Sequence, residues 1–570
     1  MKKHWDILPA PDPGVVRLLR EQLGVEERIA NLMALRGLKS YDEAKHFFSP
    51  QWTDLHSPWL MKDMEIAADR IMKAMQDGER ILVFGDYDVD GTTSVATMYS
   101  FLEKIYPGHI HFYIPDRYSE GYGISKQGIL FAEENKCELI IALDCGIKAF
   151  EEVNFAAEKG IDFIICDHHL PEKELPAAVA ILNPKRSDCT YPYDELTGCG
   201  IGFKLISAIA EQMDMPFEAI QPFLEWVAIS TCCDIVPITG ENRVLVHFGL
   251  EQLNNDPGKA IYTLIEKAGK KLPFTVSDVV FTLGPRINAA GRIEHGKLAV
   301  EMLLSDSESA ALETAAIIEE RNAERRDLDR SITEEALEMI EHKELKNRKS
   351  TVLYREGWSK GVIGIVASRL IENYHRPTVV LTGVDGKAVG SARSVSGFDI
   401  HSALEECSPF LEQFGGHAFA AGMTLNVEKV EGFAKRFEEV VSERISEDQL
   451  RPIITVEMEL DLADITDKFF RILKRFSPFG PKNLNPVFVA RNVVDTGYSK
   501  AVGEFGDHLK LYVYQPHHRS IRFGGIGFGL GKWHERISSK KPFDMAFCLE
   551  ENHWQGQTSI QLQVLDIKMA

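Results

Sequence analysis

The chain has 570 residues, more than one hydrophobic core supports, so about three or four domains are expected. Its 44% hydrophobic and 26% charged residues are ordinary for a globular protein, and no apolar run reaches the ~18 residues of a membrane span, which excludes an integral membrane protein. The net charge of -21 weighs against a polyanionic partner, but residues 451–570 hold 16 Lys and Arg against 13 Asp and Glu. That segment is therefore +3 and the first 450 residues carry -24, an acidic body with a mildly basic end.

The first residues and the cysteines indicate the compartment. The start Met1-Lys2-Lys3 leads into no apolar segment, so secretion is not expected. Nine cysteines lack Cys-x-x-Cys spacing, and Cys232 and Cys233 are adjacent. This pattern favours reduced thiols in a cytoplasmic protein, with neither a disulfide-linked partner nor a structural zinc site.

In chain order, residues 1–75 predict an N-terminal helical segment packed on the domain that follows. Residues 76–304 predict a doubly wound α/β domain, because short apolar runs alternate with helix-like stretches, as in a buried parallel sheet. These runs are Ile81–Phe84, Leu139–Leu143 and Phe163–Cys166.

The second half predicts three further elements. Residues 305–345 contain no Gly or Pro and predict a long connecting helix. Residues 346–447 predict a smaller α/β domain, with strands at Val352–Tyr354 and Thr378–Leu381 flanking a helix. Residues 448–570 alternate β-rich runs with turns and predict a small β-barrel. In it Phe523, Trp533 and Trp554 with Lys510 and Arg522 are available for nucleic acid, or for the barrel core and surface.

Each of the three apolar runs ends in an aspartate, at Asp86, Asp144 and Asp167. The carboxyl ends of parallel strands line one crevice, so these acids should converge there. Clustered carboxylates repel one another unless a cation neutralises them. The sequence therefore predicts a divalent metal site.

The loop after the first run adds acids to this site. Asp86, Asp88 and Asp90 share one face if the segment is extended, and Gly91 permits a tight turn into a helix. A solvated acidic turn is the alternative for this loop taken alone.

The histidines point to a first-row metal. Asp167-His168-His169 supplies acid and imidazole, a ligand set that suits Mn²⁺. Adjacent side chains of an extended segment point in opposite directions, so we assign His168 to metal and His169 to a substrate phosphate or a supporting role, with the reverse assignment open. Asp234 follows the apolar stretch Trp226–Ile229 and is by itself more typical of a helix end or a turn than of a metal ligand.

These motifs resemble the DHH phosphoesterases and, within them, the bacterial RecJ single-strand-specific exonucleases. Asp86–Gly91, Leu143–Gly146, Asp167–His169 and Asp234–Pro237 resemble successive DHH motifs, and Gly284–Arg292 resembles the RecJ stretch that ends this domain. Gly361–Arg369, Gly390–Ser394 and Gly415–Ala418 are similar to motifs of the DHHA1 domain, and Ser477–Gly480 and Asn552–Trp554 resemble the family's OB-fold.

The resemblance implies two Mn²⁺ or Mg²⁺ ions. The implied ligands are Asp86, Asp88, Asp144, His168 and Asp234, with Asp144 as the bridge and Asp90 as a further candidate. Related small-molecule phosphoesterases have a histidine where this chain has Leu82, a departure that RecJ enzymes share.

The resemblance also implies a substrate path. Arg117 would contact phosphate and Tyr122 a base; a surface arginine and a packed tyrosine are the alternatives. Arg286 and Asn288 are further substrate candidates, with an ion pair and a turn inside the domain as the alternative. Ser391, Arg393, Gly416 and His417 would form a pocket for a 5' phosphate, with glycine-rich structural turns as the alternative.

The expected activity is 5'-to-3' hydrolysis of single-stranded DNA to 5'-mononucleotides in recombination and repair. A RecQ-type helicase and a single-strand-binding protein are partners that only the family suggests. One alternative is a phosphodiesterase for short oligoribonucleotides or cyclic dinucleotides, whose members generally lack the barrel. Another is a non-catalytic nucleic-acid-binding scaffold, which the intact motif acids disfavour.

Overall fold

The computed structural model describes residues 3–305, 307–342 and 345–569, which form two compact units. The larger unit comprises Gln51–Arg444 with Gly480–Lys482, and the smaller one comprises Met1–Pro50, Ile445–Phe479 and Asn483–Ala570. Of the helices within the described ranges, none is both long and apolar enough to cross a membrane.

The larger unit begins with a five-stranded parallel sheet. Its strand order is Ile110–Tyr113, Arg80–Gly85, Cys137–Leu143, Asp162–Cys166 and Ala180–Leu182. Alternate residues of the second strand face two hydrophobic cores, Ile81 and Val83 on one side and Leu82 and Phe84 on the other. Both faces are covered by helices, at Met64–Asp77, Val89–Ile105 and Gly198–Gln212 on one side and Lys126–Glu134 and Phe150–Glu158 on the other. The predicted doubly wound α/β domain is confirmed.

A helical layer follows this sheet and forms a third core. Its α-helices are Leu224–Cys233, Gly240–Asn255, Lys259–Lys267, Val276–Asp278, Gly284–Ile293 and Lys297–Leu303, with a π-helical turn at Val279–Leu283.

A helix of 35 residues, Glu308–His342, lies where the long connecting helix is predicted. Its first half buries Ala311, Ala315 and Ile318 in the third core. Its second half buries Ile332 and Ile340 in a separate core with the helix Ile363–Tyr374. The helix thus joins two cores of the larger unit.

The second sheet of this unit is mixed. Its strand order is Leu411–His417, Ala420–Asn426, Lys387–Arg393, Thr378–Val384 and Thr351–Tyr354, with only the last pair parallel. The helices Ile363–Tyr374, Ile400–Glu405 and Val430–Arg444 accompany it. Both predicted strands and the helix between them are present.

The smaller unit contains a seven-stranded sheet in which an extra pairing closes a ring. The order is Met458–Glu459, Phe488–Asp495, Phe543–Trp554, Gln557–Met569, Phe523–Gly527, His508–Tyr514 and Lys500–Val502, and Phe488–Asp495 also pairs with His508–Tyr514. Phe523 and Trp533 pack against its core, which favours the core alternative for these two rings. Tyr498, Phe505 and Phe528 are instead the strongly exposed aromatics. The side chain of Trp554 lies outside the described set.

The sequence predicts that residues 1–75 form one helical segment packed on the α/β domain, and the structure differs from this prediction. His4–Ile7 is a strand that pairs in parallel with Ile453–Val456, and Trp5 Nε1 donates to Asp566 Oδ2 at 2.8 Å. The helices Pro13–Leu23, Glu27–Leu35 and Tyr41–Phe48 follow, and Leu19 and Ile29 share a core with the sheet and the helix Asp467–Lys474. Residues 1–75 are therefore divided between the units, because the apolar faces of the first helices are buried in the smaller unit's core.

Candidate active site

Strand ends of the first sheet bring the predicted acids together. Asp86 follows Arg80–Gly85 and Asp144 follows Cys137–Leu143, two neighbouring strands of the sheet. Asp144 has a left-handed backbone, φ 59°, a costly conformation for a non-glycine residue that is typical of functional sites. Asp234 caps the carboxyl end of the helix Leu224–Cys233, and helix packing carries it to the same place.

We call this group the acid cluster: Asp86, Asp88, Asp90, Asp144 and Asp234 with His168. Ligand atoms lie within 4.8 Å of one another in three sets, which are Asp86, Asp88 and Asp144; Asp90, His168 and Asp234; and Asp144, His168 and His169. His168 Nε2 lies 3.2 Å from Asp144 Oδ1 and 3.6 Å from Asp234 Oδ2. The structure thus brings all five ligand residues implied by the resemblance into one cluster.

The electrostatics of the acid cluster fit a divalent cation. Burial and the neighbouring carboxylates raise the pKa of Asp86, Asp144 and Asp234 well above that of an ordinary aspartate. Within the described residues, no well-aligned hydrogen bond satisfies the buried carboxylate oxygens of Asp86, Oδ1 of Asp144 or the ring nitrogens of His168, although His168 Nε2 and Asp144 Oδ1 are 3.2 Å apart. Buried polar atoms rarely lack partners, and oxygen with imidazole donors suits Mn²⁺ or Mg²⁺. The site therefore has the donor set that binds such an ion.

Asp90 has a different environment from the other acids. Its Oδ2 accepts a hydrogen bond from Gly198 N at 2.7 Å, and its Oδ1 accepts from Cys199 N at 2.8 Å and from Ser230 Oγ at 2.7 Å. Asp90 thus binds the first two backbone amides of the helix Gly198–Gln212 and links them to Ser230 on the helix Leu224–Cys233. The geometry therefore favours a positioning role for Asp90.

The two adjacent histidines have different hydrogen-bond partners, but they do not point in opposite directions as predicted for an extended segment, because the strand ends at Cys166 and their ring centres lie 4.6 Å apart. His169 Nδ1 lies 2.7 Å from Asp167 Oδ1, and His169 Nε2 lies 3.2 Å from the Tyr122 hydroxyl. Burial alone would raise the pKa of Asp167, but the hydrogen bonds and charge of His169 lower it to about 2. Burial would likewise lower the pKa of His169, but Asp167 raises it. Asp167 therefore favours the protonated form of His169, while His168 contacts the aspartates of the acid cluster.

A cavity of about 470 Å³ lies beside the acid cluster, between the two sheets of the larger unit. Of the predicted substrate residues, Arg117, Tyr122, Ser391 and Arg393 line it. Arg393 donates to Ser391 Oγ at 2.8 Å, and burial and Arg117 lower the pKa of Arg393. Two half-buried arginines near a hydroxyl form a chemical environment that suits a phosphate.

Five other predicted substrate residues do not line this cavity, namely His169, Arg286, Asn288, Gly416 and His417. Gly416 and His417 continue the strand beyond the lining residues Phe414 and Gly415. Gly416 has φ 142°, and a Cβ there would lie 2.3 Å from Ala420 O, so only glycine fits. Burial first and then the charge of His169 lower the pKa of His417.

Arg286 and Asn288 have different environments although they are neighbours on one helix. Arg286 Nε lies 2.6 Å from Glu319 Oε2, and Arg286 also donates to Thr282 O at 2.7 Å. Its expected substrate contact is therefore not supported, because the guanidinium is engaged within the domain. Asn288 lines a second, smaller cavity.

The 470 Å³ cavity is also lined by three residues that the sequence did not identify as site residues, namely Tyr87, Arg292 and Lys360. Two signals were available. In the sequence, Tyr87 lies between Asp86 and Asp88, so in an extended segment its side chain would lie on the face opposite the acids. In the structure, Arg117 Cζ lies 4.9 Å from the centre of the Tyr87 ring. Arg292 ends the motif Gly284–Arg292 and is about one and two-thirds helical turns from Arg286, which places it on another face.

Comparison with known proteins agrees with the geometry. The DHH family N-terminal domain matches residues 80–231, the DHHA1 domain matches residues 347–443, and the RecJ OB domain matches residues 456–566. The chain is 37% identical, over 99% of its length, to the single-stranded-DNA-specific exonuclease RecJ of Bacillus subtilis (strain 168), of which it covers 71%. It is 31% identical to the single-stranded-DNA-specific exonuclease RecJ of Escherichia coli (strain K12), with 95% of each chain covered.

A solved structure also resembles the whole chain. The crystal structure of RecJ in complex with Mn²⁺ from Thermus thermophilus has a TM-score of 0.85 at 25% identity, and the match covers 100% of this chain and 80% of that one. The resemblance drawn from the motifs is confirmed, as is the fold of DHH, DHHA1 and OB domains. With these domains in order and relatives above 30% identity along nearly its whole length, the chain belongs to the RecJ family of single-stranded-DNA-specific exonucleases.

Proposed function

We propose that this protein is a metal-dependent exonuclease that hydrolyses single-stranded DNA from its 5' end and releases 5'-mononucleotides. The observation that carries the proposal is that two features lie side by side. One is the acid cluster, whose buried oxygen and nitrogen atoms are available as metal ligands, and the other is a cavity of about 470 Å³ lined by arginines. That volume is within the usual range for small-ligand pockets, so one nucleotide fits between the phosphate-binding side chains and the acids.

Asp86, Asp88, Asp144, His168 and Asp234 would hold two Mn²⁺ or Mg²⁺ ions. Asp144 and His168 each belong to two of the three ligand sets, and of these two only the carboxylate has two oxygen atoms to offer, so Asp144 would be the ligand shared by both ions. When bound, such a pair of cations activates water as a nucleophile and neutralises charge on the phosphate. Asp90 acts indirectly, because it holds the helix that packs against Asp144.

The other side chains orient the substrate. Arg393 and Ser391, with Arg117, hold the terminal 5' phosphate and so set the number of nucleotides between the chain end and the acid cluster. Protonated His169, oriented by Asp167, donates to the reacting phosphate. Tyr122 is 57% exposed, and its ring is free to stack on the terminal base.

Residues 76–304 and 346–447, joined by 305–345, carry out cleavage, and 448–570 guide the strand, for which the exposed rings of Tyr498, Phe505 and Phe528 are suited. The relatives named above are single-stranded-DNA-specific, which supports the same strand preference here. We place the activity in the cytoplasm, in recombination and repair, with a RecQ-type helicase and a single-strand-binding protein as partners.

The decisive test compares release of acid-soluble nucleotides from a 5'-phosphorylated single strand, its blunt duplex and a 5'-phosphorylated oligoribonucleotide. We expect release from the DNA single strand with Mn²⁺ and none with EDTA. Equal cleavage of the duplex would contradict the strand preference. Faster cleavage of the RNA would favour the oligoribonucleotide alternative.

A further inference from the structure

A second cavity, of about 170 Å³, lies on the other side of Arg292 from the first. Cys233, Asn288, Arg292, Arg325 and Ile365 line it, together with Val280, Gly284 and Pro285. Cys233 directly precedes Asp234 of the acid cluster, and Arg292 borders both cavities. This second cavity is therefore next to the place where a substrate phosphate would react.

Gly284 and Pro285 shape one wall of the second cavity. Pro285 has no N–H to donate to Phe281 O, and the helix widens into the π-helical turn Val279–Leu283, with Gly284 N bonded to Val279 O. Gly284 also lacks a side chain where a Cβ would lie 2.8 Å from Cys233 Sγ. Any larger residue would push Cys233, and with it the backbone that carries Asp234.

Two guanidinium groups line this cavity without an ion pair among the described residues, although the charge of Asp329, on the same helix as Arg325, raises the pKa of Arg325 against the effect of burial. Arg292 donates to Gly361 O at 3.0 Å, and Arg325 donates to Asn322 Oδ1 at 2.7 Å. Arg325 Nε is buried without a hydrogen-bond partner, and neither arginine forms an ion pair, within the described parts of the chain. Burial, then Arg117, Arg393 and Arg325, lower the pKa of Arg292 to about 10.

Desolvated guanidiniums of like charge are costly unless an anion joins them. Arginine binds phosphate through paired N–H donors, and Asn288 adds an amide. A volume of about 170 Å³ holds a phosphate group but is smaller than the roughly 300 Å³ of the smallest usual ligand pockets, so a whole nucleotide does not fit.

We propose that the second cavity binds the backbone phosphate on the 3' side of the bond being cleaved, with Arg325 as its principal donor. The inference rests on the proposed function. In this arrangement Ser391 and Arg393 hold the terminal phosphate, the acid cluster faces the scissile phosphate, and Arg325 holds the next one. Arg325 thereby keeps the strand beyond the scissile bond in line.

The test uses substrates that differ by this one phosphate. A 5'-phosphorylated thymidine dinucleotide has only the terminal and scissile phosphates, whereas an oligothymidylate of about 20 nucleotides has all three. Losing a charge-assisted hydrogen bond of about 1.5–3 kcal/mol should lower kcat/KM of Arg325→Gln on the oligomer by about 10- to 100-fold. On the dinucleotide kcat/KM should stay near that of the unmodified protein, and Arg325→Lys should recover part of the loss on the oligomer.

Arg330→Gln is the matched control. Arg330 lies on the same helix, is 72% exposed and pairs with exposed Asp327 at 3.0 Å. This variant should cleave both substrates normally. A binding experiment in EDTA with the 3'-labelled oligomer gives a second readout, in which Arg325→Gln should reduce the slope of log Kd against log salt by about 0.7, the value for one phosphate contact on a single strand.

Equal loss on dinucleotide and oligomer would overturn the proposal, because Arg325 would then act on the terminal or scissile phosphate or on folding. Unchanged cleavage and an unchanged salt slope would also overturn it. If the unmodified protein cleaves neither substrate, the proposed function fails, and the salt slope still decides whether Arg325 contacts a phosphate.

Discussion

Gly198 lies so close to Asp144 that a Cβ on Gly198 would be 2.7 Å from Asp144 Cα. Gly198 is the first residue of the helix Gly198–Gln212, and its amide donates to Asp90. The helix end, the capping acid and the left-handed Asp144 therefore form one tightly packed unit under the acid cluster.

Gly198→Ala should displace this helix end from Asp144. We expect a loss of about 1–3 kcal/mol of stability, as for other overpacked sites, and a clear fall in cleavage. Thermal unfolding and nuclease assays measure the two effects. Gly200→Ala is the control, because its Cβ would lie 3.5 Å from Leu196 and alanine favours a helix. Wild-type activity of Gly198→Ala would show that this packing is not needed.

Asp144→Asn should remove a charge from the acid cluster without changing the side-chain shape, and asparagine tolerates the left-handed backbone. In EDTA its Tm should rise, because fewer carboxylates repel one another. Mn²⁺ should raise the Tm of the unmodified protein but not of this variant. Cleavage should fall by more than about 100-fold. Asp327→Asn, at an exposed acid, should leave both properties unchanged. A persistent Mn²⁺-induced Tm shift in Asp144→Asn would argue against Asp144 as a ligand.

Arg393→Gln should reduce the preference for a 5'-phosphorylated end. Its guanidinium lies in the 470 Å³ cavity beside Ser391, so kcat/KM on a phosphorylated strand should fall by about 10- to 100-fold. A strand with a 5' hydroxyl should be affected much less. Lys387→Gln, on the same strand, changes an exposed lysine paired with Glu412 and should alter neither rate. Equal losses on both strand types would remove Arg393 from the terminal phosphate site.

Glu225→Gln should change how stability depends on pH. Glu225 is buried, accepts from Gly258 N at 3.2 Å, and burial raises its pKa from 4.5 to about 8. It is then protonated in the folded protein but ionised in the unfolded chain between these values. Stability therefore falls as pH rises through this window, by up to about 1.4 kcal/mol per pH unit.

Glutamine keeps the Gly258 hydrogen bond and removes the titration. The Tm of Glu225→Gln minus that of the unmodified protein should therefore grow between about pH 5 and about pH 8. Differential scanning fluorimetry in EDTA measures this difference. Parallel Tm curves would mean that Glu225 does not titrate as described.

The sequence alone predicts those strands, helices and site residues whose positions depend on one short segment of the chain. The buried runs before Asp86, Asp144 and Asp167 are strands, and their acids meet at one edge, because strand ends in a parallel sheet share that edge. The long helix is likewise a local property of a segment without Gly or Pro. The sequence did not decide the directions of His168 and His169, because the strand ends at Cys166 and the two rings lie 4.6 Å apart.

Only the tertiary structure decided which distant partner each side chain meets. Arg286 and Arg292 share one helix, yet one is held by Glu319 and the other lies between two cavities. Asp234 joins the acid cluster through helix packing, and the first helices are buried in the smaller unit's core. Periodicity predicts that a face is apolar or that a charge lies at an element's end, but the partner is set by packing between segments hundreds of residues apart, on which local sequence carries no information.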